Sequence, residues 1–360
     1  MNTLDVKDLD ALCLGSVFLA TGGGGDPYLP MLITKQVLKT HGPVSLLSVD
    51  SIKDDAHVVA IGAVGAPTVS LELLPSVDEA SATLDAYEKH VGREIDVVAP
   101  FEIGGGNSLL PIIAAVTKGI PVIDGDGMGR ALPEAQMMTY AIAGAKPTPA
   151  VARDYAGNLA TFETDTTATY ERHIRSFAMA AGGMITAAEH PMRGDFVKRA
   201  IIPSTLSFAV TLGKLLQREK GNAENMLPHL MSLFEESVYG PCRLLYTGKV
   251  TDKSTQIIGG YDVGSVTVKP FSGEGSPMTI AIKNEYLIAS VDSDVVASVP
   301  DLIVIVDYET STPINAERLK YGQRVAVFAV GCPDFYRQPS ALEVVSPRAF
   351  GFDVDYHPLT

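Results

Sequence analysis

Asp124 and Asp126 flank a single glycine in the run Asp124-Gly125-Asp126-Gly127-Met128-Gly129-Arg130. Two carboxylates at that spacing are close enough to share one divalent cation, or for one to hold the other's protonation state while a water is activated. A plain Asx-type turn would need only one of them. Arg130 offers a bidentate fork for a substrate carboxylate. A second run, Glu102-Ile103-Gly104-Gly105-Gly106-Asn107-Ser108, sets an acid and an amide on either side of three glycines. Backbone N–H groups there are expected to face an anion or a developing negative charge at a helix N-terminus, with Asn107 orienting a ring. The plain alternative makes Asn107 or Ser108 a helix cap. The third run is Thr21-Gly22-Gly23-Gly24-Gly25-Asp26-Pro27. One glycine suffices to close the preceding helix and Asp26 to cap the next, so the remaining glycines, with Gly23, Gly24 and Gly25 foremost, are read as letting backbone approach a ligand.

Other nucleophiles and bases are weaker. Cys242 sits in Tyr239-Gly240-Pro241-Cys242-Arg243, where the arginine would favour a thiolate, against the commoner role of a small buried hydrophobe. Cys13 falls on an apolar helix face, and Cys332 has no base near it in sequence. The seven histidines form no H-x-x-x-H pair, and no Gly-x-Ser-x-Gly elbow occurs. His190, in Glu189-His190-Pro191, is the histidine to watch as a base. No dinucleotide fingerprint is complete, and Gly213-Lys214-Leu215 and Gly248-Lys249-Val250 both break the Walker pattern, so no nucleotide is expected.

The elements that must position these residues follow from periodicity. Helical spacing over residues 4–20 and Tyr28 to Lys39 brackets the first glycine run. Short apolar segments at Val44–Val49, His57–Ile61, Ile95–Ala99 and Pro121–Ile123 then alternate with helices near Val77–His90, Ser108–Lys118 and Pro133–Ala143. That order predicts an α/β domain with a mostly parallel sheet, and loops after its strands should converge on one crevice. Helices are expected near Thr167–Ala181, at Pro203–Glu219 and at Ala223–Glu236, and from Arg243 alternating segments predict a β-rich region. The division is therefore an N-terminal α/β domain over 1–165 and an α+β, β-rich C-terminal domain over 166–360.

Hydrophobic residues make up 46% of the 360 residues and charged ones 19%, which excludes disorder. A net charge of -14 would repel phosphate backbones and anionic lipid, so neither nucleic acid nor membrane is an expected partner. Three scattered cysteines, and a start without a basic, apolar leader, predict a cytoplasmic protein. A mean hydropathy of +0.18 predicts homo-oligomerisation.

The three glycine runs, with Leu14-Gly15-Ser16 before them and Ser346-Pro347-Arg348-Ala349-Phe350-Gly351-Phe352-Asp353 near the end, resemble the S-methyl thiohydantoin desulfurase family across nearly the whole chain. The resemblance implies an N-terminal α/β domain followed by a domain with much β structure. It implies hydrolysis of a C–S bond in a five-membered ring, giving a hydantoin and methanethiol. It also implies work beside hydantoinase or oxoprolinase subunits, since members are often encoded next to them. No catalytic set comes with it. The residues suggest their own set: Asp124 or Asp126 as base, with or without a metal, the Gly104–Gly106 amides on the intermediate, Asn107 on the ring, and Cys242 as the alternative nucleophile. Competing expectations are a metal-dependent amidohydrolase opening a hydantoin or lactam ring, and a non-catalytic partner of a hydantoinase.

Overall fold

Val58, Val59, Ala60 and Ile61 are all fully buried, the pattern of a strand covered on both faces. In a computed structural model that describes residues 1–359, this strand lies inside an eight-stranded sheet. In chain order the first elements are β1 (Thr3–Leu4), α1 (Leu9–Leu19), α2 (Tyr28–His41), β2 (Val44–Leu47), β3 (His57–Gly65), α3 (Glu79–Val91), β4 (Val97–Pro100), α4 (Leu110–Lys118), β5 (Val122–Ile123) and β6 (Gly125–Asp126). Then come α5 (Thr139–Ile142), β7 (Ala150–Arg153), β8 (Leu159–Phe162), α6 (Thr167–Ala180), β9 (Met184–Arg193), α7 (Gly194–Ala200), β10 (Ile202–Pro203), α8 (Thr205–Arg218) and α9 (Ala223–Glu235).

The sheet order is β1-β2-β5-β4-β3-β9-β7-β8. Its core, β2-β5-β4-β3, is parallel as the alternation of strands and helices requires. The far side is antiparallel, because β9 returns beside β3 and carries β7 and β8. The chain beyond residue 165 thus contributes β9 to the first sheet.

The rest is β-rich: β11 (Cys242–Ile258), β12 (Tyr261–Pro270), β13 (Met278–Lys283), β14 (Glu285–Val291), β15 (Asp294–Ser298), β16 (Leu302–Asp307), β17 (Arg324–Val330) and a closing helix α10 (Pro339–Val345). These strands form an antiparallel sheet, β15-β14-β13-β12-β11-β17-β16, around a second apolar cluster that includes Val250, Val266, Ile280, Ile303 and Val325. It curls into a half-barrel, and the β14–β15 pairing runs on one residue past Ile288 and Ser298, Val299 N donating to Leu287 O at 2.7 Å. Helices α1 and α8 cross at small residues: a Cβ on Gly213 would lie 1.8 Å from Ala11 O, and one on Gly15 1.9 Å from Ala209 O. The glycine of Gly213-Lys214-Leu215 is therefore a helix contact.

Two local expectations change. The helix expected over Pro133–Ala143 is a 3-10 turn at Ala135–Met137 followed by the four-residue α5. Met138 is extended between them, and the Ala135 and Thr139 amides donate to Glu171 Oε2 and Gly127 O, so tertiary bonds displace the helical ones. After α1 the first residue to turn left-handed is Thr21, at φ 51°, not a glycine. Asp26 does serve the next helix, its Oδ1 accepting from Tyr28 N at 2.8 Å.

Candidate functional site

The three glycine loops meet. Gly106 N and Asn107 N donate to Gly25 O and Gly24 O at 2.9 and 3.1 Å, and a Cβ on Gly24 would lie 2.4 Å from the Gly104 carbonyl. Asp126 Oδ2 accepts from Ile103 N, Met128 N and Gly129 N at 2.9, 2.9 and 2.7 Å, fastening the third loop to the second. The first loop is also the seam to the half-barrel. Tyr286 N donates to Thr21 O at 2.7 Å, Ala316 N to Gly22 O at 2.8 Å, and Asn315 Nδ2 to Gly25 O at 2.9 Å. A Cβ on Gly22 would lie 2.6 Å from the Tyr286 ring, and one on Gly23 2.1 Å from Glu285 Oε1. Close approach between protein segments thus accounts for Gly22, Gly23 and Gly24, whereas a Cβ on Gly25 would meet only Ser70 Oγ, at 3.6 Å.

Beside this junction opens a cleft of about 1220 Å³, its mouth included, lined by Gly24, Gly25, Asp26, Gly106 and residues from both domains. Four carboxyl side chains in its lining are buried, Glu102, Glu171, Glu189 and Glu285, and burial raises the acids of two of them, Glu102 and Glu285. Glu102 follows β4 and accepts from Asn107 Nδ2 at 2.8 Å and from Leu132 N at 3.3 Å. Burial pushes its acid up to about 8; the Asn107 bond opposes the rise and the charge of Asp126 adds to it. Glu285 opens β14, reaching across from the half-barrel. Burial, then the charge of Glu102, hold its acid well above the usual carboxylate range, and its Oε2 has no partner. Asn107 is locked on three sides: Oδ1 accepts from Ala63 N at 2.6 Å, while Nδ2 donates to Ala63 O at 3.2 Å and to Glu102. Gly62 makes this possible, since a Cβ there would lie 3.0 Å from Asn107 Oδ1.

Polar pairs close the walls. Arg175 commits its guanidinium to Glu171 Oε1, with Nε at 2.9 Å, and to Pro133 O at 2.7 Å, and it stacks 4.2 Å from the Tyr261 ring centroid. Tyr261 donates to Glu171 Oε1 at 2.9 Å. Lys283 bonds Glu134, and Phe350 of the last sequence motif lies 5.6 Å from its ammonium. Glu189 accepts from Tyr170 Oη, and its Oε1 lies 2.9 Å from His190 Nδ1 but out of line, leaving both imidazole nitrogens buried without a partner. Over the mouth lies the segment after β3, a 3-10 turn at Pro67–Leu71 and Leu73 to Pro75. It is latched from the half-barrel: Asp262 Oδ2 accepts from Thr68 N and Oγ1 at 2.9 and 2.6 Å.

Several expected residues are placed elsewhere. Asp124 turns to α8, accepting from Ser207 N at 3.0 Å and Ser207 Oγ at 2.6 Å. Asp126 is enclosed by its three amides, and burial lifts its acid to about 6. Neither lines the cleft; Ser207 holds both Asp124 oxygens and three amides hold Asp126 Oδ2, which leaves only the buried Asp126 Oδ1 without a partner, so the pair does not fit a shared metal ion. Among the described residues no group of three or more His, Cys, Asp or Glu is arranged to hold one. Arg130 is fully buried, and its Nη1 and Nη2 donate to Pro300 O, Asp301 O and Thr21 Oγ1, so it has no free face for a substrate carboxylate. Cys242 is buried away from the cleft, and burial pushes its thiol up to about 12, against a thiolate nucleophile. The Gly106 amide, expected to face an intermediate, already serves Gly25 O. Gly23, Gly104 and Gly105 lie behind the cleft wall as packing positions.

Glu285, Glu171, Arg175 and Glu134 were not anticipated. Glu285 lies in Lys283-Asn284-Glu285, which reads as a turn, and the turn is real: Asn284 has φ 59° and its Oδ1 accepts from Asp262 N at 2.8 Å. Only the docking of this hairpin against the first glycine run turns its glutamate inward.

Family models describe the same two parts. "S-Me-THD-like, N-terminal domain" matches residues 7–164 and "S-Me-THD-like, C-terminal domain" matches residues 164–359. No curated protein matches the chain. A crystal structure of a protein from Chromobacterium violaceum is similar over 100% of both chains, at 24% identity and a TM-score of 0.82, and so has the same fold. Among the described residues no helix is long and apolar enough to cross a membrane.

Proposed function

We propose, for a chain that belongs over nearly its whole length to the S-Me-THD-like family, that the cleft hydrolyses the C–S bond of an S-methyl thiohydantoin-like ring. Its support is one observation: Glu102 and Glu285, one from each domain, line the same cleft as buried acids raised by burial, the charge of Glu102 adding to the rise at Glu285. The substrate carbon is doubly bonded to a ring nitrogen and singly to sulfur. Glu285, held as the neutral acid, donates its proton to that nitrogen and makes the carbon a better electrophile. Glu102, as the carboxylate, takes a proton from water while its oxygen attacks the carbon. The tetrahedral intermediate then expels methanethiolate, which takes the proton from Glu102 and leaves as methanethiol. As the carbon becomes a carbonyl, its hydroxyl proton passes to the Glu285 carboxylate and restores that acid, so the two hydrogens of water end, in net, on the ring nitrogen and on methanethiol, and the ring is a hydantoin. Asn107 positions Glu102 by holding one carboxylate oxygen against the Ala63 backbone.

Thiol release from S-methyl thiohydantoins, followed with a chromogenic thiol reagent with and without chelator, tests the reading. Glu102→Gln and Glu285→Gln should each lower kcat by about a hundredfold or more, the range of general acid–base catalysis. Absence of thiol, with a ring-opened acid as product, would replace it by lactam or hydantoin ring hydrolysis.

A further inference from the structure

The cleft's charge and its apolar outer wall select the substituent on the ring. We infer that the ring carries an apolar side chain and no carboxylate, an inference that rests on the proposed ring chemistry and concerns the outer half of the same cleft. Seven carboxyl side chains line it against one basic one, Arg175. Arg175 has no donor left over: Nε and Nη2 serve Glu171 and Pro133 O, and Nη1 faces Gly65 O and Gly260 O at 3.4 and 3.5 Å. Lys283 and Arg318, the cations next nearest, are paired with Glu134 and Asp26. An anionic substituent would therefore lose its hydration without gaining a cation, among carboxylates of its own sign.

The opposite chemistry is present further out. Along β3, Ala63 touches Asn107 and Gly65 pairs with Met184. Two residue steps along the strand, about 7 Å, separate them, roughly the reach from a ring carbon to the far edge of a benzyl group. With Met184, the apolar lining of the cleft includes Val64, Leu73, Leu74 and Tyr155. A Cβ on Gly182 would lie 3.6 Å from the Tyr155 ring and one on Gly183 2.9 Å from Val69, so the group is continuous with the segment that Asp262 latches. Leu74 and Tyr155 are 74% and 56% exposed, a large apolar surface at the mouth for a side chain to cover.

The test is a panel of S-methyl thiohydantoins bearing isobutyl, benzyl, carboxymethyl or carboxyethyl groups, scored by thiol release, with calorimetric binding of the matching hydantoins as a readout independent of turnover. The isobutyl and benzyl rings should bind at least tenfold more tightly, and show at least tenfold higher kcat/KM, than the carboxylate pair. Leu74→Lys, at a position exposed enough to leave folding intact, should narrow that gap by about tenfold. Thiol release and binding that favour the carboxyethyl ring would overturn the inference while keeping the desulfurase reading. No binding and no release from any member would remove both.

Discussion

Replacing Glu102 by glutamine separates the chemistry of this residue from its contribution to folding, with opposite signs. The folded acid titrates at about 8 against an ordinary 4.5, so Glu102 favours the folded state only in its neutral form. That contribution is complete below 4.5 and is lost as pH rises through the folded value of about 8. At about 1.36 kcal/mol per unit, the penalty relative to a neutral side chain is near zero at pH 4, about 3 kcal/mol at pH 7 and about 5 kcal/mol above pH 8. Glutamine carries no such penalty but loses the weak 3.3 Å bond from the Leu132 amide, worth about 1 kcal/mol. The unfolding entropy is about 2.1 cal/mol/K per residue, hence roughly 0.8 kcal/mol/K for 360 residues. Glu102→Gln should therefore raise Tm by roughly 3 °C at pH 7 and roughly 5 °C at pH 9, and change it little or slightly lower it at pH 4. The assay is differential scanning calorimetry of both proteins at those pH values, beside thiol release. In the wild type, thiol release should rise between pH 6 and 8 as Glu102 becomes a carboxylate. A Tm difference that stays constant from pH 4 to pH 9 would refute the buried-acid argument, and a variant of full activity would refute the base.

Gly24→Ala should lose several kcal/mol of stability and most activity, read by thermal melting and thiol release, because its Cβ would lie 2.4 Å from the Gly104 backbone at a φ of 70°. Cys242→Ser should leave kcat within about twofold of wild type, since the thiol is buried away from the cleft; loss of turnover with unchanged melting would restore the nucleophile. Asp124→Asn should lower stability by about 1 kcal/mol through its bonds to Ser207 and leave thiol release unchanged. Asp262→Ala, which frees Thr68, should raise KM several-fold with little change in kcat, measured by steady-state thiol release.

What the chain's order discloses and what it hides divide along a physical line. Alternating apolar segments and helices announce the parallel core, because each strand of a covered sheet must be apolar throughout and each crossover must be amphipathic. The antiparallel return of β9 has no such local mark: its pairing with β3 is set 120 residues away along the chain, and the pattern Met184–Ala188 fits either direction. The site shows the same division. Glycine clusters announce that segments approach closely, but not which partner approaches, so the first run reads as a ligand cradle when its neighbours are Tyr286, Glu285 and Gly104. Acids beside glycines announce a turn equally well whether the carboxylate faces inward, as Glu102 does, or ties amides together, as Asp126 does. Burial decides between them, and burial belongs to the assembled fold. Glu285 makes the point most sharply, since its chemistry exists only once a hairpin of the second domain docks on the first glycine run. Its acid strength is thereby coupled to the docking of the two domains: any change that parts them at Gly23 hydrates Glu285, lowers its acid toward the ordinary range and removes the proton donor without touching the residue itself.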